Sequence, residues 1–401
     1  MRSFFQTIDV VTWRSHSFNF SYLFYLMEWH DIKYQDHTMS LQELTSSSFE
    51  KSLYSKQTCI SSLSPHASST TIHVKDIYEN LVFYHLILDF EIISVIIDEN
   101  GGASIELQQK AKPSSQFFTE KDPMNGVPHA LRLKETSTNS VSIGHLCVSV
   151  YDVDSYYQTL SSTYGNNSAF DTTNMNDKLE KMNKDFFLNH KKVSSYEYNL
   201  EYYTRLNDEN SKPGIFFLKG PGEVPIEIYK YAHRKNSLVK DKEVEIVEDL
   251  GIKFNHLMVD FKLTSGDKCL MTDVLAFYVN VLGMRVLDVK HNKNDKFSLY
   301  FMGFLPNDGS TENWWVEDKN KMYLPRRARE GYLQLRYYWS ADGYVSKKPE
   351  SLGYSFEISV DSTTDYLKDV SSKYNNVYVD FENKTVKDPT GNIFFVKENQ
   401  K

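Results

Sequence analysis

The 401-residue sequence has only three cysteines, Cys59, Cys147 and Cys269, far apart and in no CxxC or CxxH pairing. That excludes a disulfide framework and a thiolate zinc site, and it fits a reducing compartment. No apolar run approaches the roughly 18 residues that a membrane span needs. The best stretch, Phe18 to Met27, is short and broken by Asn, Ser and Tyr. An excess of positive charge is lacking too: 45 Lys and Arg face 53 Asp and Glu for a net charge of −8, with no basic stripe to neutralise phosphates, which argues against nucleic acid as a partner. What is present, 40% hydrophobic and 24% charged residues, is the balance of a soluble globular protein. The length calls for two domains or four small modules.

Residues 1–66 read as an N-terminal extension expected to be poorly ordered, and the Ser/Thr-rich stretch from Thr45 to Thr71 as a linker, with organised structure from about Ser69. The first 27 residues are aromatic and slightly basic, as in a transit peptide. Asp9 and the lack of an arginine-rich face speak against one, so a cytoplasmic location is expected, with a mitochondrial one as the alternative. A later start at Met39 is a further option. A polar insertion at about 165–192 carries one candidate helix, and the charged run from His233 to Glu248 marks a joint. The expected layout is one half at 67–234, a linker at 235–251 and a second half at 252–401.

The halves repeat each other. In the first, Lys75-Asp76 leads into YENLVFYHLILDF, then IISVII and ASIELQQKAKP; in the second, TDVLAFYVNVLGM leads into RVLDV and FSLYFMGFLP. The spacing from Tyr84 to Ser104 equals that from Tyr278 to Ser298, 20 residues in each case. Apolar residues at helical spacing give way to short strands. Farther on, GHLCVSVYDVDSYYQTL matches GYSFEISVDSTTDYLKDV, and both halves close with a strand, a Pro/Gly turn and a strand. The expected fold class is α+β: tandem halves, four βαβββ modules in all, forming curved mixed sheets with a concave face suited to a ligand.

Several segments, in order, carry a family likeness: FNHLMVDF, FYVNVLGM, DKFSLYFMGF and GYLQLRYYWS in the second half, VKD with FYHLILDF, IGHLCVSVYDVDS and GPGEVPIEIY in the first. Together they resemble glyoxalase I (lactoylglutathione lyase) of the double-length, monomeric fungal type, in the vicinal oxygen chelate superfamily. The likeness runs from Ser69 to Glu398 apart from the insertion. It implies one divalent cation per site, zinc first and nickel or a similar ion otherwise, held by two residues from each half. One such set falls on Ser69, Arg132, Tyr354 and Phe395. A guanidinium repels a cation and a phenyl ring has no lone pair for it, so that site is expected to be degenerate. The other set falls on His145, Glu227, His256 and Gln334, all of which offer a lone pair.

Taken singly, each of the four has an ordinary reading. His145 and His256 could be hydrogen-bonded core histidines. Glu227 points away from Ile226 and Ile228 by strand alternation and could face water, and Gln334 between two leucines is equally ambiguous. Their joint placement on the ligand positions lifts them.

The resemblance implies isomerisation of the methylglyoxal–glutathione hemithioacetal to S-lactoylglutathione, with a Lewis acid stabilising an enediolate and a carboxylate moving the proton. Glu227 is the candidate base. Gln334 replaces a second carboxylate found in many members, so a one-base site is expected. At three positions where the family grips glutathione stand Asp260, Tyr338 and Val141, which suits an anionic tripeptide poorly; Lys262 or Arg336 could substitute. Two alternatives follow: a metal-dependent relative acting on another small substrate, or a non-catalytic binding or regulatory relative.

Overall fold

The structure is a computed structural model that describes residues 66–97, 103–108, 130–136, 143–150, 152–164, 177–182, 184, 200–209, 214–230, 253–262, 266–303, 332–347 and 353–399. The N-terminal extension before residue 66, the 235–251 linker and Val141 lie outside these residues, as does most of the 165–192 insertion. Within that insertion, residues 177–182 are helical and bury Leu179 and Met182.

The first module runs β1 (His66–Val74), α1 (Ile77–Leu81), β2 (Glu91–Ile97), β3 (Ala103–Gln108) and β4 (Ala130–Glu135). The second follows as β5 (Ile143–Val150), α2 (Val153–Tyr164), β6 (Tyr202–Thr204), β7 (Ile215–Lys219) and β8 (Pro225–Lys230). The third contains β9 (Lys253–Phe261), β10 (Lys268–Leu270), α3 (Met271–Ala276), β11 (Arg285–Asn292), β12 (Phe297–Gly303), β13 (Tyr332–Tyr338) and β14 (Tyr344–Ser346), the last paired with β10. The fourth is β15 (Tyr354–Val360), α4 (Thr363–Lys373), β16 (Tyr378–Asp380), β17 (Thr385–Lys387) and β18 (Ile393–Glu398). Strand β1 thus begins inside the stretch whose Ser/Thr content reads as linker: Ser69 and Thr70 are buried in a sheet, where β-branched and small hydroxyl residues fit the pleat.

Local chemistry accounts for the starts of α1 and α4. Asp76 accepts from the Tyr78 and Glu79 backbone amides at 2.9 and 3.0 Å, and Ser362 accepts from Asp365, satisfying donors that the first turn leaves open. Helices α1 and α3 each continue into a π-helical turn, Val82–Ile87 and Phe277–Val281, closed by matching bonds from Leu88 N to Phe83 O and from Leu282 N to Phe277 O. The Phe-Tyr pairs that mark the repeat in sequence therefore mark it in the backbone too.

The strands form two eight-stranded mixed sheets. Their orders are β16-β17-β18-β15-β1-β4-β3-β2 and β11-β12-β13-β9-β5-β8-β7-β6. Each sheet joins a module from one half to a module from the other, through antiparallel β1–β15 and β5–β9 ladders. The helices pair the other way. Tyr164 on α2 donates to Leu86 O at 3.5 Å, and Tyr366 on α4 donates to Val281 O at 2.8 Å, so helices of the same half pack together. Strand alternation then sorts the side chains: Ile226 and Ile228 are fully buried on the helix-covered face, each contributing about 1.5–3 kcal/mol, while Glu227 between them turns to the open face. Among the described residues, no helix is long and apolar enough to cross a membrane.

Candidate metal centre

The open face of the second sheet gathers His145 from β5, Glu227 from β8, His256 from β9 and Gln334 from β13. His145 Nε2 lies 3.0 Å from His256 Nε2, and Glu227 Oε2 lies 3.2 Å from His145 Nε2 and 3.6 Å from His256 Nε2. A tetrahedral centre about 2.0–2.1 Å from each donor has donor–donor edges of roughly 3.3–3.4 Å. The three observed edges bracket that value. Gln334 is 4% exposed, and its Oε1 is buried with no hydrogen bond of normal geometry, although its dipole favours charge on the His256 ring. An orphaned carbonyl oxygen beside two imidazoles and a carboxylate is what an N/O-ligated cation would satisfy. The donor set fits a divalent ion.

Electrostatics support the same arrangement. Burial opposes charge on Glu227, yet the neighbouring His145 and His256 rings and the Cys147 thiol hold its carboxyl down to about 2. Burial, and then His145, push His256 down to about 3, so its ring is neutral and keeps a lone pair. Burial, and then Glu227, push the Cys147 thiol well up. Cys147 is thus a neutral donor behind the carboxylate, a neighbour that sequence reading did not assign.

The site opens into a cavity of about 320 Å³ that His145, Glu227 and Gln334 line together with Phe217, Met258, Phe297, Leu299 and Arg336. Gly144 makes room at its rim: a Cβ there would meet Met258 Cε and sit 2.9 Å from Asp260 Oδ1. Asp260 is gripped by a two-pronged bond from Arg336, Nε and Nη2 each at 2.7 Å. The guanidinium also lies 5.0 Å from the Tyr338 ring, whose other cationic neighbour, Lys262, is 4.9 Å away. Arg336 does line the cavity, but its charge is answered by Asp260.

The equivalent place on the first sheet is different. Phe395 stands against Glu357 as Glu227 stands against Cys147, and Ser69 against Ala130 as His256 against Tyr332. His145 lies two residues before Cys147, so its counterpart is Ser355, two before Glu357. This corrects the assignment of Tyr354, which turns to the covered face, is buried and donates to Asn392 Oδ1 at 2.7 Å. A shift of one residue along a strand exchanges its faces. Arg132 fills the open face there, bound to Glu106 at 2.9 Å and Glu357 at 3.2 Å. Burial works against its charge, but the two carboxylates hold it protonated.

Glyoxalase I of Saccharomyces cerevisiae is 27% identical over 206 residues, 50% of this chain and 54% of that protein. Over half its length, the chain resembles glyoxalase I. It spans about half the length of that curated relative. No family model matches the chain. Among solved structures, glyoxalase I of Zea mays overlays with a TM-score of 0.49 at 12% identity, covering 84% of this chain and 93% of that one. A putative dioxygenase of Bacillus subtilis gives 0.43 at 10%, covering 84% and 86%. At those scores the overlays add nothing to the sheet topology described above.

Proposed function

We propose that the chain is a glyoxalase-type lyase of the vicinal oxygen chelate superfamily that isomerises the hemithioacetal of a 2-oxoaldehyde and a thiol, glutathione in the first instance, at one divalent-metal site. The observation that carries the reading is the convergence of His145 Nε2, His256 Nε2 and Glu227 Oε2 within 3.0 to 3.6 Å of one another beside the orphaned Gln334 oxygen. Likeness to the yeast enzyme supports the reaction class.

In this reading His145, His256, Gln334 and Glu227 hold the ion, zinc or nickel. The bound ion supplies a Lewis acid that makes the substrate C–H acidic. Glu227, its carboxyl depressed to about 2, stays ionised across the physiological range. It takes the proton from the sulfur-bearing carbon and returns it to the adjacent one, so nothing is gained or lost overall. Gln334 cannot share the proton, because an amide is not basic at neutral pH. Phe217, Met258, Phe297 and Leu299 give the cavity an apolar wall beside the transfer. The Arg132 cluster on the first sheet takes no part, leaving one working site per chain, and the protein acts as a monomer in the cytoplasm.

The Arg336–Asp260 pair favours a second reading, in which the same chemistry acts on a small oxygenated substrate other than a glutathione adduct. Arg336 is already neutralised, so among the described residues it offers an anionic tripeptide little. Metal analysis combined with a hemithioacetal assay tests both. Metal with turnover supports the first reading, and metal without turnover supports the second. A protein that binds no divalent ion rejects both.

A further inference from the structure

Strand alternation alone would turn Asn255 away from His256. The ladder between β5 and β9 prevents this. Cys147 pairs with His256, but Val148 pairs with Phe254, so Asn255 is an extra residue in a β-bulge. Bulges re-aim side chains. Here the Asn255 Oδ1 comes to 3.0 Å from His256 Nδ1, and its Nδ2 donates to Ser149 Oγ on the neighbouring strand at 2.5 Å. Ser149 is fully buried. The amide is therefore held at both ends.

That hold bears on which ring nitrogen carries the proton. His256 Nε2 faces His145 Nε2 and Glu227 Oε2. For Nε2 to offer a lone pair there, the proton must sit on Nδ1, and Nδ1–H needs an acceptor. Asn255 Oδ1 is that acceptor. With the oxygen so used, Nδ2 faces Ser149, which accepts. The reverse orientation would aim an N–H at Nδ1 and force the proton onto Nε2, closing the ring to a cation.

We propose that Asn255 is a positioning residue: from its bulge it fixes His256 as the Nδ1–H tautomer, with Ser149 fixing the amide in turn. The proposal rests on the metal reading of the site for its purpose, but not for its test. Nitrogen-15 imidazole spectra of the metal-free full chain report the tautomer directly, and zinc titration calorimetry reports the consequence. In the unaltered protein His256 should be Nδ1–H. Asn255→Asp keeps an acceptor, so both tautomer and zinc affinity should be retained. Asn255→Leu removes it, and should move the proton toward Nε2 and weaken zinc binding roughly 10- to 100-fold. Ser149→Ala should give a smaller shift in the same direction. An Nε2–H ring in the unaltered protein, or a ring indifferent to Asn255→Leu, overturns the proposal. If Asn255→Leu fails to fold, the unaltered protein and Ser149→Ala still decide it. A protein with the expected tautomers that binds no zinc would defeat the metal reading and leave the tautomer assignment standing.

Discussion

His145 Nε2 and His256 Nε2 lie 3.0 Å apart although 111 residues separate them in the chain. Two nitrogens facing each other at that distance need either a shared proton or a shared cation, and the orphaned Gln334 oxygen beside them favours the cation. Purified protein should hold about one divalent ion per chain by elemental analysis. His145→Ala and His256→Ala should each lose most of it, and a chelator should lower the melting temperature of the unaltered protein but not of either variant.

Glu227→Gln should leave the circular dichroism spectrum unchanged and lower hemithioacetal turnover by roughly 10²- to 10⁴-fold, the usual worth of a general base. Retained turnover would remove Glu227 from the proton-transfer role. Gln334→Glu should be tolerated for metal binding, since a carboxylate also donates through oxygen.

Metal-free protein should lose stability in acid earlier than carboxylates alone would dictate. His256 is 6.5 when unperturbed and about 3 when folded, so as pH falls below 6.5 the unfolded chain binds a proton that the folded one refuses. Glu227 adds to the same trend between 4.5 and about 2, because its folded form also resists protonation. Both contributions are fully present above pH 6.5 and are lost on acidification. Thermal melts from pH 7.5 to 4 check the sign, and His256→Leu should flatten the upper part of the curve.

Gly144→Ala should be costly for so small a change. The added methyl would collide with Met258 and crowd the Asp260 carboxylate that Arg336 holds. Overpacking of this kind costs about 1–3 kcal/mol. Denaturant unfolding should show the loss, and metal affinity should fall with it because His145 is the next residue.

Arg132→Leu should destabilise more than Arg132→Lys. The first leaves the half-buried Glu106 without this cation and the buried Glu357 with Lys397 in its place; a loss of about 1–3 kcal/mol is expected after allowance for partial exposure. Turnover at the other sheet should be unchanged in both variants.

Much of this was legible in the sequence. Alternation around Ile226-Glu227-Ile228 shows which way a carboxylate turns, and the Phe-Tyr pairs at 83–84 and 277–278 fix the repeat. Donor chemistry then separates the His145, Glu227, His256 and Gln334 set from Arg132 and Phe395. What escaped depends on register. Tyr354 and Ser355 are adjacent, and only the ladder to β1 decides which one faces the concave side. The bulge at Asn255 and the fork between Arg336 and Asp260 need strand neighbours that no local pattern names.

The opposed pairing of helices and sheets has a consequence for the chain as a polymer. Strands β8 and β9 flank β5, and the end of β8 and the start of β9 lie at the same end of it, roughly 10 Å apart across two strand spacings. The covalent joint therefore has little distance to span. A protease cut there would not yield two separate proteins: the pieces would stay clasped by two antiparallel ladders, and either piece made alone would expose raw strand edges until it met its complement.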